Sequence, residues 1–287
     1  MTGRPPAGGR IGTAAAAALI VATSLFPIYM MAVESLKTAR EDVLGNPLLV
    51  THPTLQWYLG LFAPVLWLRG EAFAREIPFV VWLRNSAIVT VAALVLTLAV
   101  SVPAGYALGR LRPPGWRVWR RVMFGSYLIP QTLAFLPMYQ LISRLGLDDN
   151  VLALLLVYPG LAIPFCVWLL SAYFQRLGRD VEEAALVECG RGAAFLHVVL
   201  PMSWPVIAAG GIFALGVVSG DAIFAALFLP NQFHQTLAAG LSTMDVGLED
   251  LTVIAGVNLA ALSVVPIHGI FAGAFVRGLT AAMIEGA

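Results

Sequence analysis

The chain has 287 residues, of which 59% are hydrophobic and only 11% charged, with a formal net charge of +1. Soluble globular domains carry roughly 25% charged residues, so this composition argues against a soluble domain, and the near-neutral balance gives no footing for nucleic acid. Long apolar runs leave room for one membrane domain and little else.

Arg4 and Arg10 precede an apolar run over residues 11–33. That run is longer than a signal-peptide core and no small-x-small cleavage site follows it, so it is predicted as an uncleaved first span. Five further stretches are apolar and long enough to cross about 30 Å of hydrocarbon: residues 85–108, 122–142, 151–174, 205–228 and 254–276. Unbroken apolar runs read as helices, because alternation is what a barrel strand requires. The expected fold class is therefore an all-α membrane protein with six transmembrane helices.

Basic residues set the expected orientation. With the N-terminus cytoplasmic, eleven arginines fall inside, including the cluster Arg110, Arg112, Arg117, Arg120 and Arg121, against six basic residues outside. Short basic loops near span ends mark the cytoplasmic side. The predicted organisation is a cytoplasmic tail 1–10, a first span 11–33, an extracytoplasmic segment 34–84, a five-span core 85–279 containing the loop 175–204, and a cytoplasmic tail 280–287. A second outside segment, 229–253, carries Asp245, Glu249 and Asp250.

Several chemistries are missing. The only lysine is Lys37, outside any glycine-rich loop, so no P-loop can reach a nucleotide's phosphates. His52, His197, His234 and His268 are scattered, and Cys166 and Cys189 fit no zinc or disulfide spacing; no metal site and no catalytic residue is expected. A Ser/His/Asp set at helical spacing is also lacking, which leaves an intramembrane enzyme without a nucleophile. Charge within the spans is sparse: Asp221 is the clear case and His268 a weaker one. An ion-coupled secondary transporter, the alternative reading, usually needs more ionisable groups than this.

The loop 175–204 is the most informative stretch. Asp180 can cap a helix with Glu183 at its third position, and Ala184, Ala185, Leu186 and Val187 continue it. Gly190 and Gly192 are expected to break that helix, and a second short helix over about 193–199 precedes Leu200-Pro201. The expected product is a helix–turn–helix knuckle outside the bilayer, offering small and apolar residues to a groove.

Here the chain resembles a family: the inner-membrane permease subunits of binding-protein-dependent ABC importers, carbohydrate (maltose-type) branch. The family's loop has Glu-Ala-Ala and ends in Ile-x-Leu-Pro; this chain has Glu183-Ala184-Ala185 and Val198-Val199-Leu200-Pro201. Ser35-Leu36-Lys37, Thr54-Leu55-Gln56-Trp57-Tyr58, Asn85-Ser86, Ala104-Gly105-Tyr106-Ala107, Ile129-Pro130, Gly146-Leu147 and the tail Phe275-Val276-Arg277-Gly278-Leu279-Thr280 are similar to family segments in the same order. The chain departs from the pattern at Glu188-Cys189, where members usually carry Asp-Gly, at Ser219-Gly220-Asp221, where Trp-Asn-Asp is common, and at Glu285, where a basic residue is usual. The stretch 63–82 is longer than typical.

The resemblance implies a type I importer permease in a bacterial or archaeal inner membrane, with both termini cytoplasmic. It implies a second permease, two ATPase subunits that bind ATP and magnesium, and an extracytoplasmic sugar-binding protein as partners, with no cofactor in this chain. Glu183, Ala184, Ala185, Gly190, Gly192, Leu200 and Pro201 are then the expected ATPase-coupling residues. Asp221, Asn258, Tyr127 and Gln131, with Tyr139, are candidates for a polar translocation path, against the simpler role of stitching helices together. Glycerol phosphate or another small solute is the alternative cargo.

Overall fold

The computed structural model describes residues 7–62, 65–68, 71–74, 77–178, 186–187, 190–244 and 250–284. The chain divides into two units: residues 1–77 with 244–261, and residues 78–243 with 262–287.

In the first unit, α1 (Ala7–Ser35) is apolar around its circumference and exposes Leu19, Ile20, Leu25 and Phe26. A helix apolar on every side has lipid or another protein as its solvent. Two short helices follow, α2 (Ala39–Leu44) and α3 (Gln56–Gly60), then a hairpin of β1 (Val65–Leu68) and β2 (Glu71–Ala74) pairing Val65 with Ala74 and Leu68 with Glu71. This hairpin occupies the unusually long stretch of the outside segment.

The two motifs that flank α2 are bonded to each other. Tyr58 donates its hydroxyl to Ser35 Oγ at 2.8 Å, Thr54 N–H donates to Leu36 O at 2.8 Å, and the Trp57 indole donates to Lys37 O at 2.7 Å. Lys37 itself is buried and donates to Pro47 O at 3.1 Å. The sole lysine thus closes a loop.

Glu41 does similar work. Thr38 caps α2 through Glu41 N–H, while the Glu41 carboxylate accepts from Thr51 N–H, from the Thr51 hydroxyl at 2.7 Å and from His52 N–H at 3.2 Å. The Thr51 backbone N–H and hydroxyl, against some opposing desolvation, hold this carboxyl below its ordinary value of 4.5. A lowered native value means the stabilisation is complete above that ordinary value and is lost as pH falls through the native one. Amide exchange at Thr51 and His52 is therefore expected to stay slow from neutral pH down to the ordinary value and to accelerate below it, relative to the intrinsic rate. Glu41→Gln should exchange fast at every pH; protection identical in the variant and the parent would refute the loop's dependence on this carboxylate.

In the second unit, α4 (Phe79–Tyr106, continued by a π-turn Ala107–Leu111) packs along α7 (Leu152–Arg176) more extensively than any other helix pair. Two glycines allow the close crossing. A Cβ on Gly105 would lie 2.6 Å from Leu170 Cβ, and one on Gly109 would lie 2.6 Å from Ser171 O. Four residues apart, they form the small-xxx-small stripe by which membrane helices approach without a hydrophobic drive between them. Gly109→Val is expected to cost about 1–3 kcal/mol by overpacking and to lower the melting temperature. Gly269→Ala, with open space at its Cβ, should leave it unchanged; equal melting of the two variants would refute the close crossing.

Three apolar clusters succeed one another along α7. Ala153, Leu154, Val157 and Tyr158 meet Val89, Val218, Phe224 and Phe228; Ala162 and Cys166 meet Ala214; Leu169, Leu170 and Phe174 meet Val102, Val199 and Val206. The Cys166 thiol is buried and donates to Gly210 O at 3.4 Å, so it packs α7 against its neighbour; Cys189 lies outside the described residues.

Two predicted spans are not single helices. Residues 122–142 divide into α5 (Trp116–Tyr127) and α6 (Gln131–Arg144). Pro130 has no N–H to give a helix and disfavours helical geometry at Ile129, so the chain breaks there. Residues 205–228 divide into α9 (Trp204–Ser219) and α10 (Ile223–Phe228) around Gly220-Asp221. The short α11 (Leu237–Ser242) and the long α12 (Asp250–Ile284) complete the chain. Helix α4 also begins at Phe79, six residues inside the predicted outside segment. Among the described residues four helices are long and apolar enough to cross a membrane, and a bent pair described below makes up to five.

Candidate functional site

The predicted coupling loop leaves α7 at Leu177, and its start is fixed from α4. Arg110 donates to Leu177 O at 3.0 Å and to Gly178 O at 3.4 Å. Glu183, Ala184 and Ala185 lie outside the described residues. Further along, Gly190 has a φ of +74°, which is left-handed and suits glycine; this fits a turn at that point. Gly192 does not break the chain. It lies within α8 (Gly190–Met202), which starts earlier than the predicted second helix and runs past it.

Helix α8 meets α9 at an angle of 73°. A π-turn, Phe195–Val199, lies just ahead of Pro201; widening the helix there accommodates a ring that would otherwise meet the carbonyl four residues back. Ser203 turns the corner: it is buried, and its hydroxyl donates to Val199 O at 2.7 Å. Tyr173 on α7 donates to Met202 O at 3.1 Å. Phe195 packs on Tyr106 of α4 with ring centres 4.6 Å apart, and Tyr106 meets Phe174 of α7 edge-on at 5.5 Å. Helix α8 thus touches α4 and α7 and runs through the bend into α9. On the other flank an apolar groove of about 560 Å³, lined by Leu98, Val102, Phe195, Leu200 and Trp204, leaves α8 incompletely packed.

The path candidates are dispersed. Gln131 and Asp221 line one cavity of about 240 Å³, together with Thr132, Phe135, Ile223 and Phe224. Both sit where a predicted span is broken, so irregular backbone borders this cavity. Asp221 is also a structural group. Its carboxylate accepts from Tyr158 at 2.8 Å, from Ala225 N–H at 3.1 Å and from Phe224 N–H at 3.3 Å, closing the first turn of α10.

Tyr127 instead packs its ring on Phe165 and Phe213, with centres 5.1 and 5.6 Å away. Tyr139 stacks on Phe228 at 6.3 Å. Asn258, in the first unit, donates to Met31 O at 2.9 Å and joins α12 to α1. His268 bonds the Val264 carbonyl of its own helix at 3.1 Å. The contacts of Tyr127, Tyr139 and Asn258 join one helix to another, whereas that of His268 stays within its own helix.

Sequence reading missed Tyr158, Thr132 and Phe135. Tyr158 carried the one available signal, a hydroxyl inside an apolar run and just ahead of Pro159-Gly160. Arg110 was counted as a topological anchor, whereas the structure assigns it the loop's first turn as well.

The family described as "Binding-protein-dependent transport system inner membrane component" matches residues 101–280. The inner membrane ABC transporter permease protein YcjP of Escherichia coli (strain K12) is 27% identical over 96% of this chain and 97% of its own. The maltose/maltodextrin transport system permease protein MalG of Vibrio parahaemolyticus is 30% identical, covering 93% of this chain and 92% of its own. The sulfoquinovosyl glycerol transport system permease protein SmoH of Agrobacterium fabrum is 28% identical over 94% and 92%. A chain of the crystal structure of a bacterial ABC transporter involved in the import of the acidic polysaccharide alginate shares the fold. Its TM-score is 0.76 at 19% identity, over 95% of this chain and 99% of that one.

Proposed function

Because this chain belongs to the family of binding-protein-dependent transport system inner membrane components, we propose that it is the channel-forming permease of an ATP-driven sugar importer. The cargo is a mono- or oligosaccharide, moved inward by alternating access. Support for a sugar comes from relatives named for maltose, maltodextrin and sulfoquinovosyl glycerol transport. The partners are a second permease, two ATPase subunits and an extracytoplasmic sugar-binding protein. ATP and magnesium belong to the ATPase subunits, and both termini of this chain are cytoplasmic.

The observation that carries this reading is the seating of α8. Bent 73° from α9 and wedged against Tyr106, it is a rigid element that transmits a push from outside the bilayer to three helices at once. In this mechanism ATP closes the ATPase dimer, residues 183–185 receive the motion, and α8 passes it on as a rigid-body tilt. The broken backbone at Pro130 and Gly220-Asp221 then opens or closes the cavity beside Gln131 and Asp221. Hydroxyl-rich cargo suits that wall, with Gln131, Thr132 and the carboxylate as bonding partners and Phe135 as an apolar surface.

The test is uptake into vesicles holding this chain with its co-purified subunits and a labelled maltodextrin. Uptake should require MgATP on the ATPase side and the binding protein on the other. Uptake by this chain alone, driven by a proton or sodium gradient, would overturn the reading in favour of secondary transport.

A further inference from the structure

Three guanidinium groups converge on a single indole at the entrance to α5. The Cζ atoms of Arg112, Arg117 and Arg120 lie 5.3, 5.4 and 5.7 Å from the centre of the Trp116 ring. A ring face attracts one cation but does not neutralise three. No aspartate or glutamate occurs between Glu76 and Asp148, and among the described residues no carboxylate pairs with these arginines.

The turn that gathers them is built. Arg112 holds a left-handed φ of 51°, fixed by its N–H bonding to Ala107 O at 2.9 Å and its Nε to Gly109 O at 3.3 Å. Pro113 and Pro114 follow, and Gly115, at φ 79°, turns the chain back into α5. At 3.6 residues per turn, Arg117, Arg120 and Arg121 share about 100° of the α5 surface, opposite Val118, Trp119 and Val122. Val118 and Trp119 are 60% and 56% exposed. A cationic face backed by an exposed aromatic and apolar face, at the end of a membrane helix, is the arrangement of a segment lying at headgroup level.

We propose that Arg112, Arg117 and Arg120 form a site for the phosphate headgroup of an anionic phospholipid, with Trp116 as the platform beneath. Guanidinium forks match phosphate oxygens, and the anion supplies the charge whose absence leaves the three cations repelling one another. The site requires only that the chain sits in a membrane; it does not depend on the cargo or the energy source.

The experiment counts phosphatidylglycerol molecules retained through delipidating detergent, by native mass spectrometry, on the full chain with whatever subunits co-purify. Membranes of phosphatidylcholine with and without phosphatidylglycerol are compared. Each guanidinium removed should weaken retention about fivefold, so R112Q/R117Q/R120Q should lose roughly a hundredfold, and Arg144→Gln should lose nothing. Equal retention by the triple variant and the parent would overturn the site. So would loss of an ATPase subunit with lipid unchanged, which would assign the arginines to an acidic protein face. Inorganic phosphate protecting the chain from heat in detergent as well as the lipid does would overturn the lipid as ligand. If the triple variant does not assemble, the parent alone decides: a salt wash must strip phosphatidylglycerol and spare phosphatidylcholine, because exposed ion pairs are screened, and salt-insensitive retention would overturn the proposal.

Discussion

Glu183→Arg is expected to abolish uptake by the reconstituted transporter while the chain still inserts and accumulates normally. The residue opens the Glu-Ala-Ala stretch, which we propose docks on the ATPase subunit and forms an ion pair with a basic group there. In that docked state, reversing the charge leaves two cations facing each other. Removing one member of a buried pair already costs about 3–5 kcal/mol, which corresponds to a loss of roughly a hundredfold or more in coupled transport. Ala184→Glu should act as strongly by another route, since we propose that Ala184 packs closely on the same partner surface, where a charged side chain is costly to desolvate. The loop's two described ends are at least five residues from the changed positions in the sequence: Arg110 holds the start at Leu177 and Gly178, and Gly190 begins α8. Misfolding is therefore not the expected cause of failure. Uptake, ATP hydrolysis and the amount of chain in the membrane should be measured together. Normal uptake by both variants would dispose of the lever.

Gly240→Val is expected to destabilise the second unit more than replacement of the other glycines described there, Gly105 and Gly109 included. Helix α11 presses on α4 at this point, and a Cβ on Gly240 would overlap the Cδ2, Cε2 and Cε3 atoms of the Trp82 indole. Trp82 has nowhere to go: it is buried, and its N–H donates to Gln232 O at 2.6 Å. One helical turn further on, Asn85 donates to Phe233 O and Gln235 O at 3.2 and 3.0 Å, and Ser86 accepts from Leu237 N–H at 2.7 Å. Displacing the indole forfeits a buried hydrogen bond, worth about 1–3 kcal/mol when a partner is stranded, on top of about 1–3 kcal/mol for overpacking. At about 2–4 °C per kcal/mol for a unit of this size, the melting temperature should drop by roughly 5–20 °C. Because the two residues touch, W82L combined with Gly240→Ala should be less destabilising than the sum of the two alone. A Gly240→Val protein that melts with the parent would show that the indole has room after all.

How far the sequence carries can be seen residue by residue. Four of the predicted spans stand as helices close to the expected limits, because lipid demands an apolar surface and a self-bonded backbone, and both are local properties. The family motifs were legible as strings, and their purpose was not. Ser35-Leu36-Lys37 and Thr54–Tyr58 look unrelated in the chain until Tyr58, Trp57 and Thr54 are seen bonding to the three residues of the other motif. Asn85-Ser86 likewise acquires its meaning only from the loop around residue 235 that it holds.

The breaks in the third and fifth spans were less legible. Pro130 was visible, but hydropathy averages over it and reports one long run. Whether a proline kinks a helix or ends it depends on which neighbours can satisfy the freed carbonyls. The path candidates divided for the same reason. Gln131 and Asp221 reached a common cavity, while Tyr127, Asn258 and Tyr139 were taken up by rings and carbonyls far away in sequence.

The sequence by itself determined the solvent, the helical class and the family, since these follow from composition, from runs of one residue type and from short strings in a fixed order. Only the tertiary structure decided where spans break, which glycines mark close crossings and which polar groups are already satisfied. Each of those depends on a partner tens to more than a hundred residues away, as Trp82 depends on Gln232 and Tyr158 on Asp221, and a pairwise bond across folded elements leaves no local pattern in the chain.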